Sequence, residues 1–404
     1  MTRLQILVCS TITVCLLPTF DVCGAKTDPK PLQTNRLGGV NNPSGTVLMA
    51  MHRGQYILHA WGGKLTKLPV ERIQLPRDPG PISPQSIQAS LTLDGTVYVT
   101  LATIVCKSTD GGRTWTSHKF GGSEGPLDIL GDGTFIRVTG NGIRTDPVEV
   151  ITSTDEGRSW KTISRIKLPP LYNERYLYRL YRLPDDTLIL PIEGRRGDRE
   201  WPAEGAIVTL SYRSTDQGKT WNYHGIVPEM GSEGGFALLP SGEVLSVVRY
   251  QRPRRAGDRP DVDPRGYKHV FLSKSNDQGL TWTRLRQLCT VYGQTRGYPA
   301  ALSDGTVVVI HDTRYGPGSP GSRAMVSHDE GTTWADEVYY MDSTKFTGSY
   351  NASVVLKDDL ILSVLGSSQG GSSWEAVKND TDFFAVRWRP VSRKNGPNEA
   401  APAE

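Results

Sequence analysis

Two arginines close long apolar runs in this chain, and each run begins near a residue with useful chemistry. Arg249 follows a run that starts just after Glu233, and Arg314 follows a similar run that starts at Tyr298. An arginine at the end of a buried strand must meet an anion or lie in a hydrated pocket. A guanidinium group binds a carboxylate through two parallel hydrogen bonds, so these residues indicate an anion-binding pocket that also holds a carboxylic acid.

Each of these residues also has a less specific interpretation. Glu233 could be a solvated turn residue, and Arg249 begins an arginine-rich stretch, residues 249–265, that could be a solvated loop. Glu193 and Arg195 follow another apolar strand, and at these two positions the sequence favours a solvated loop over a place in the pocket. The pocket therefore depends on whether the fold brings these separate positions together.

A repeated turn motif indicates which elements position these side chains. Its pattern is Ser-x-Asp-x-Gly-x-Thr/Ser-Trp, and its five copies begin at Ser108, Ser153, Ser214, Ser275 and Ser327. In each copy the Asp side chain can bond the backbone that follows it, and the Gly can take a positive φ. A repeat every 45 to 60 residues or so is typical of propellers and solenoids.

A second repeat accompanies the first. Short polar turns separate pairs of apolar runs, and the seven turns lie at Ser44, Asp94, Asp132, Asp185, Ser241, Asp304 and Asp358. The β-branched runs after them, such as residues 307–310, are typical of buried strands. The sequence therefore predicts an all-β propeller of four-stranded blades. Seven hairpin units favour seven blades, or six blades if one unit only completes the closure.

The turn motif resembles the Asp-box of the sialidase superfamily, and the resemblance covers residues 38–388. It implies a sialidase-type β-propeller in which the boxes lie on the rim, away from the central site. The boxes thus bear on the fold and leave the chemistry to other residues.

The same resemblance implies roles for particular residues. Tyr350, which opens the last unit, corresponds to the catalytic nucleophile, and Glu233 corresponds to its base. This pairing is the known exception to the scheme of two catalytic carboxylates. Three arginines at the matching positions would hold a substrate carboxylate: Arg36, Arg249 and Arg314. Arg53 is an alternative to Arg36.

The chain departs from the family at the general acid. The family carries an Asp shortly after the first hairpin, but residues 53–61 contain none. That region has His52, Tyr56 and His59 instead, and Asp78 lies in the next loop. The acid that would protonate the leaving group is therefore unassigned.

Composition narrows the class of function. The chain has 404 residues, a formal net charge of +4 and a sequence pI of about 8.7, a mildly basic balance that does not indicate nucleic-acid binding. Its Cys and His residues lack the spacing of a metal site, so neither a metal nor another cofactor is expected. Cys106 and Cys289 are expected to be unpaired thiols.

The ends of the chain predict processing and export. Residues 1–25 have the charge and the short apolar run of a signal peptide, too short to span a bilayer. We expect residues 26–391 to form one propeller and residues 392–404 to be a disordered tail. The protein is then secreted or periplasmic, without a membrane span after cleavage, and a monomer.

Three functions fit these observations. The first is a secreted sialidase-like glycoside hydrolase, an exo-glycosidase that acts on an anionic sugar. The second is a uronate polysaccharide lyase on the same fold, with His52, His59, His311 or Tyr350 as the base. The third is a non-catalytic glycan-binding propeller, which the altered first unit favours.

Overall fold

The computed structural model describes residues 45–52, 54–77, 87–101, 104–119, 125–139, 147–177, 179–198, 206–227, 231–258, 266–288, 293–315, 320–342, 351–368 and 381–392. Within them the chain forms 27 β-strands, one α-helix and a 3₁₀ turn at Lys357–Asp359. The prediction of an all-β fold is confirmed.

The strands form six sheets, which are the blades of a propeller, and each blade runs from an inner strand outward. Blade 1 contains β4 (Gln88–Leu91), β5 (Val97–Leu101), β6 (Ile104–Ser108) and β7 (Thr116–Lys119). Blade 2 contains β8 (Leu127–Ile129), β9 (Phe135–Thr139), β10 (Val148–Ser153) and β11 (Lys161–Ile166). In blade 3 the inner strand has two parts, β12 (Tyr172–Leu177) and β13 (Tyr181–Arg182), followed by β14 (Leu188–Arg196), β15 (Ile207–Ser214) and β16 (Asn222–Ile226).

The remaining blades follow the same order. Blade 4 contains β17 (Gly231–Leu238), β18 (Val244–Arg252), β19 (Tyr267–Ser275) and β20 (Arg286–Gln287). Blade 5 contains β21 (Gly293–Ala301), β22 (Val307–Tyr315), β23 (Gly321–Ser327) and β24 (Glu337–Tyr340). Blade 6 contains β25 (Asn351–Val355), β26 (Ile361–Ser368) and β27 (Thr381–Trp388). The inner strand β25 contacts both β21 and β4, so the sheets close into a ring.

The propeller has six blades, so the count of seven was wrong and the alternative of six is confirmed. The first predicted unit does not form a blade. Its residues after Ser44 form the helix α1 (Gly45–His52), rich in Leu, Met and Ala, which favour helix over strand. Leu48 and Met51, three positions apart on this helix, are buried in the core.

The strands that follow the helix complete other blades. The hairpin of β1 (Tyr56–Trp61) and β2 (Lys64–Pro69) extends the outer edge of blade 5. The next strand, β3 (Glu71–Gln74), pairs with β27 as the outermost strand of blade 6. Glu71 also contacts the Nε atom of Arg113 in blade 1 at 3.2 Å. The pairing of β3 with β27 joins the N-terminal part of the chain to its C-terminal part.

The five Asp-boxes lie between the third and fourth strands of blades 1 to 5, and they share one hydrogen-bond pattern. In the first, Ser108 donates to Asp110 at 2.8 Å, and the N–H of Gly112 donates to the Ser108 hydroxyl at 2.8 Å. The N–H of Thr114 donates to Asp110 at 2.9 Å. The box Gly has a positive φ in every copy, as Gly112 does with 88°. The expected turn is confirmed in detail.

The blades pack face to face through β-branched residues. Between blades 4 and 5, Val247, Val270 and Val309 belong to one cluster of fully buried side chains. In a blade, the second and third strands are covered on both faces by the neighbouring blades. These strands are therefore continuous apolar runs and do not alternate with polar residues.

The ring has two distinct faces. The turn face carries the turns between the first two strands of each blade, together with the Asp-boxes. The funnel face lies at the opposite ends of those strands, where inner strands begin and second strands end. The pairing of Ser232 with Arg249, and of Tyr176 with Glu193, places these charged residues at the funnel face.

Candidate active site

Four charged side chains from blades 3 and 4 meet at the funnel face. Arg249 Nη1 lies 2.8 Å from Glu233 Oε2, and Arg249 Nη2 lies 3.8 Å from Glu193 Oε2. Arg195 Nε lies 3.3 Å from Glu193 Oε1. We call these four residues the glutamate–arginine cluster. Its two positive and two negative charges alternate along one chain of contacts.

Three members of the cluster are buried. Glu193 is 1% exposed, Glu233 4% and Arg249 8%, whereas Arg195 is half-buried at the edge. Buried charges are tolerated only when they are paired, and in this cluster each glutamate has a cationic partner. The 2.8 Å contact between Arg249 and Glu233 is an ion pair without the alignment of a hydrogen bond.

The backbone holds Glu233 in an unusual conformation. Its φ is +50°, and the pairing register of β17 and β18 shifts between Ser232 and Gly235, which marks a β-bulge. A non-glycine residue in the left-handed region costs on the order of 1–3 kcal/mol, and such residues concentrate at functional sites. The bulge turns the Glu233 carboxylate toward Arg249.

Blade 5 repeats this device with the opposite charge. Arg296 has a φ of +51°, and the register of β21 and β22 shifts between Thr295 and Tyr298. Its side chain is 1% exposed. Sequence reasoning missed Arg296. The signal was a charged residue between Thr or Ser and Gly at the start of an inner strand, as in residues 232–234 and 295–297.

The predicted site residues have three outcomes. Glu233 and Arg249 are brought together, as the pocket hypothesis requires. Arg314 belongs to β22, but its side chain is outside the described part of the structure. Arg36 and Tyr350 lie outside the described residues, so their roles stay predictions.

The interpretation of two charged stretches as solvated loops was wrong at particular positions. Glu193 is fully buried in the cluster. Arg252 is 3% exposed, donates to both carboxylate oxygens of Asp258 at 2.7 and 3.0 Å, and lies 3.8 Å from the centre of the Tyr267 ring. Arg254 and Arg255 are exposed, as a loop requires.

Two of the histidines proposed as a lyase base have other surroundings. His59 is on β1, at the outer edge of blade 5, where its Nε2 lies 3.0 Å from Glu337. His311 is on β22, and burial lowers its pKa to about 3, so its ring is neutral at physiological pH. The side chain of His52 is outside the described part of the structure.

The described residues also bear on metals, thiols and membranes. They include no group of three or more His, Cys, Asp and Glu side chains that could hold a metal ion. Cys106 is a free thiol, and burial raises its pKa to about 12, while Cys289 lies outside them. Across the described part of the chain, no helix has both the length and the apolar character to cross a membrane.

Six four-stranded blades with five Asp-boxes define a sialidase-like propeller, and comparison with known proteins agrees. Residues 134–378, which are more than half of the chain, match the family described as BNR repeat-like domain. The chain belongs to this family. No curated protein sequence matches it.

Solved structures with the same fold share little sequence with this chain. One is a protein of unknown function from Dyadobacter fermentans, with a TM-score of 0.58, 18% identity, and coverage of 79% of this chain and 98% of that one. A mutant α-L-arabinofuranosidase of Fusarium graminearum, bound to an iminosugar inhibitor, has a TM-score of 0.55, 18% identity, and coverage of 78% and 97%. The sialidase of Trypanosoma rangeli, as a covalent intermediate with a difluorosialic acid, has a TM-score of 0.50, 13% identity, and coverage of 79% and 58%.

Proposed function

We propose that this protein is a glycoside hydrolase whose active site is the funnel face around the glutamate–arginine cluster. One observation carries the proposal: Glu193 and Glu233, from adjacent blades, are both buried and both contact Arg249. Most glycosidases use a pair of carboxyl groups that flank the scissile bond. A carbohydrate ligand is also supported by the likeness of the fold to glycosidases that bind sugars.

The surroundings of the two glutamates suggest different roles. Glu193 contacts two guanidinium groups, which suits it to act as the anionic carboxylate that stabilises positive charge on the sugar. Glu233 contacts Arg249 and sits on a strained bulge, which suits it to transfer a proton. Arg249 lies between the two carboxylates. This assignment supplies the acid that the sequence left unassigned.

A second candidate is the sialidase-like reaction on an anionic sugar. The observation that favours it is the buried Glu233 beside Arg249, the two described members of the predicted set. In this version Arg36, Arg249 and Arg314 hold the substrate carboxylate, and Tyr350 attacks with Glu233 as its base. Arg249 already contacts two carboxylates, however, and their negative charges would oppose the binding of a third. The described geometry supports a neutral sugar better.

The test is hydrolysis of a panel of fluorogenic glycosides that includes an α-L-arabinofuranoside and a sialoside. Glu193→Gln and Glu233→Gln should each lower kcat/KM by about 10² to 10⁴, the usual contribution of a catalytic acid or base. Glu243→Gln is the matched control, because Glu243 is at the turn face of the same blade, paired with Lys274. Activity of both cluster variants within tenfold of the parent would exclude the two-carboxylate mechanism.

Other outcomes identify the alternatives. Turnover of the sialoside that disappears in Tyr350→Phe would establish the second candidate. Absorbance from an unsaturated uronate would indicate a lyase, and binding of intact glycans without turnover would indicate a non-catalytic binder. We also propose export, since residues 1–25 have the pattern of a signal peptide. A mature protein that starts near Lys26 would support it.

A further inference from the structure

A cleft lies between blades 1 and 2 on the turn face, away from the glutamate–arginine cluster. Its volume is about 330 Å³, and Lys107 of β6 forms part of its wall. Leu93 and Asp94 line it from the turn between β4 and β5, and Asp132 and Gly133 line it from the turn between β8 and β9. Sites for small molecules have volumes of about 300–1,000 Å³, so a molecule of monosaccharide size fits this cleft.

The matching turns at two other blade junctions are bridged by a carboxylate. Asp186 of blade 3 accepts from the N–H of Gly131 in blade 2 at 3.1 Å. Asp359 of blade 6 accepts from the N–H of Ser303 in blade 5 at 2.9 Å. Both aspartates have a positive φ, of 62° and 57°. The fold therefore provides a place for a carboxylate between neighbouring inner turns, where a backbone N–H holds it.

The cleft is the same place at a junction where the bridging residue is a glycine. Leu93 directly precedes the Asp of its turn, as Gly131 and Ser303 do in theirs. Gly133 stands in its turn where the two bridging aspartates stand. A Cβ atom at Gly133 would meet no atom within 4 Å, and in the described structure the Leu93 N–H donates to no hydrogen-bond acceptor. A carboxylate from outside the chain can therefore take this place.

A cation accompanies the carboxylate at one bridged junction and also at the cleft. Asp186 lies 2.9 Å from Arg182 Nη1. At the cleft the cation is Lys107, whose Nζ lies 2.7 Å from Glu156. Because an ammonium group has three donors, Lys107 can bond a ligand and keep this partner. The cleft thus repeats both features that hold the Asp186 carboxylate.

The cleft also offers two acceptors. Asp94 and Asp132 each accept from the N–H of the Thr two positions later, at 3.1 and 2.9 Å. Each keeps a second carboxylate oxygen, which accepts from a hydroxyl group but would repel a bare anion. A ligand that carries hydroxyl groups beside its carboxylate satisfies both kinds of lining group.

We propose that this cleft binds a small hydroxy acid of monosaccharide size, of the class of the hexuronic acids. Its carboxylate accepts from the Leu93 N–H beside Lys107, and its hydroxyl groups donate to Asp94 and Asp132. The site is on the opposite face from the glutamate–arginine cluster, and it does not rest on the proposed hydrolase activity. The ligand is either a free sugar acid or the terminal residue of an acidic oligosaccharide, which share this chemistry.

Glucuronate is the probe for the test, and glucose is its neutral counterpart. Ligand-observed NMR at constant ionic strength should show that glucuronate binds at least about tenfold more tightly than glucose, because its carboxylate makes charge-assisted hydrogen bonds. Crystals of the full chain soaked in glucuronate should show the sugar acid in the cleft. Equal binding of the two sugars, or glucuronate at the funnel face only, would overturn the proposal.

Variants of the bridging position locate the site in solution. Gly133→Asp should place its own carboxylate on the Leu93 N–H and weaken glucuronate at least about tenfold. Gly242→Asp is the matched control: Gly242 has the same place in the blade 4 turn, but Pro184 of blade 3 stands at the position of Leu93 and has no N–H to hold a carboxylate. Binding by Gly242→Asp should stay within about twofold of the parent.

A second control separates the carboxylate from backbone strain. Gly133→Ala has the same positive φ without a carboxylate, and its binding should stay within about twofold of the parent. If Gly133→Asp binds glucuronate as the parent does, or if Gly133→Ala loses as much as Gly133→Asp, the proposed site is wrong.

Two further measurements address the cation and the source of the ligand. Lys107→Gln should weaken glucuronate severalfold, and the loss should shrink with added salt, because the attraction is between charges at the surface. A loss that salt leaves unchanged would contradict a role for the Lys107 charge. Competition by a galacturonate disaccharide would identify an oligosaccharide end as a source, whereas binding of the monosaccharide alone would assign the cleft to a free sugar acid.

Discussion

The turn face and the funnel face of the same blades solve the problem of buried polar groups in different ways. On the turn face, the Ser and Asp side chains of the boxes bond within their own turn. Asp110, for example, accepts from Ser108 and from the Thr114 N–H, all within one box. In the glutamate–arginine cluster of the funnel face, one contact joins different blades, that of Arg249 with Glu193. The first arrangement fixes a fold locally, whereas the second needs the whole ring to be closed.

The residues that adopt a positive φ also differ between the two faces. On the turn face, positive φ falls mostly on Gly or on a Glu, Gln or Asp that is not buried, in a repeated turn, as with Gln217 at 60°. Among the described non-glycine residues of the funnel face, positive φ falls on Glu233 and Arg296, two buried charged residues in bulges. Turns that recur from blade to blade serve the fold. Strain at buried charged residues of two adjacent blades is better explained by function.

The largest effect is expected when the cation at the centre of the cluster is removed. Arg249→Met leaves Glu193 and Glu233 facing each other without a partner from that residue. Breaking a buried ion pair from one side costs about 3–5 kcal/mol. Urea unfolding should show a loss of this size in the free energy of unfolding.

The control for this loss is an arginine on the outer strand of the same blade. Arg286 is exposed on β20, so Arg286→Met should stay within about 0.5 kcal/mol of the parent. If both variants lose the same stability, the cluster is not a coupled buried site and the distinction between the two faces fails.

A buried charge network on the outer edge of blade 5 makes the stability of the fold depend on pH. Burial acts to raise the pKa of Glu337, but hydrogen bonds with His328, His59 and Tyr339 outweigh it and hold the pKa at about 2. The folded-state value is thus below the unfolded one of 4.5. The stabilisation is complete above the unfolded value and is lost as the pH falls toward the folded value.

The measurement is the difference in unfolding free energy between the parent and Glu337→Gln. Hydrogen bonds to a charged group contribute about 1.5–3 kcal/mol each, so the difference should be a few kcal/mol at pH 7. It should shrink between pH 5 and pH 3. Glu149→Gln, at an exposed pair with Arg165, should show little difference at either pH. A Glu337→Gln difference that stays constant with pH would show that the network is not held by an ionised carboxylate.

The difference between local contacts and contacts between blades explains which features could be predicted from the sequence. The boxes were predictable because Ser108, Asp110 and Gly112 form hydrogen bonds with one another. The whole pattern therefore lies within one short stretch of sequence. The blade number was not predictable, because α1 and the β1–β2 hairpin follow a turn that looks like the others. Only packing against blade 5 shows what these elements do.

The candidate site was predictable in part for the same reason. Arg249 was visible as an arginine at the end of an apolar run, and Glu233 as a charge at the start of one. Glu193 looked like a loop residue, because its partner Arg249 is in the next blade. Arg296 was missed, because its burial depends on the bulge that forms only when β21 pairs with β22.

Close packing at the bulge of blade 5 gives a smaller prediction. A Cβ atom at Gly297 would overlap with Val247 Cγ1 of blade 4 and come within 3.1 Å of Val309 Cγ1. Gly297→Ala should therefore destabilise the protein by about 1–3 kcal/mol, the usual cost of overpacking a core. Val247→Ala removes the overlapping atom, so the double variant should lose less than the sum of the single losses. Additive losses would mean that the two blades do not meet at this glycine.

The smallest effect is expected at a link between blades on the turn face. Lys107 Nζ of blade 1 lies 2.7 Å from Glu156 Oε1 in the second box, and both side chains are about one-third exposed. Exposed ion pairs contribute about 0.2–1 kcal/mol, because water screens them and ordering long side chains costs entropy. A double-mutant cycle of Lys107→Gln and Glu156→Gln should give a coupling energy in this range, and it should fall with added salt. A coupling as large as the loss from Arg249→Met would contradict the comparison, because it would place buried, cooperative charge on the face where local turns should suffice.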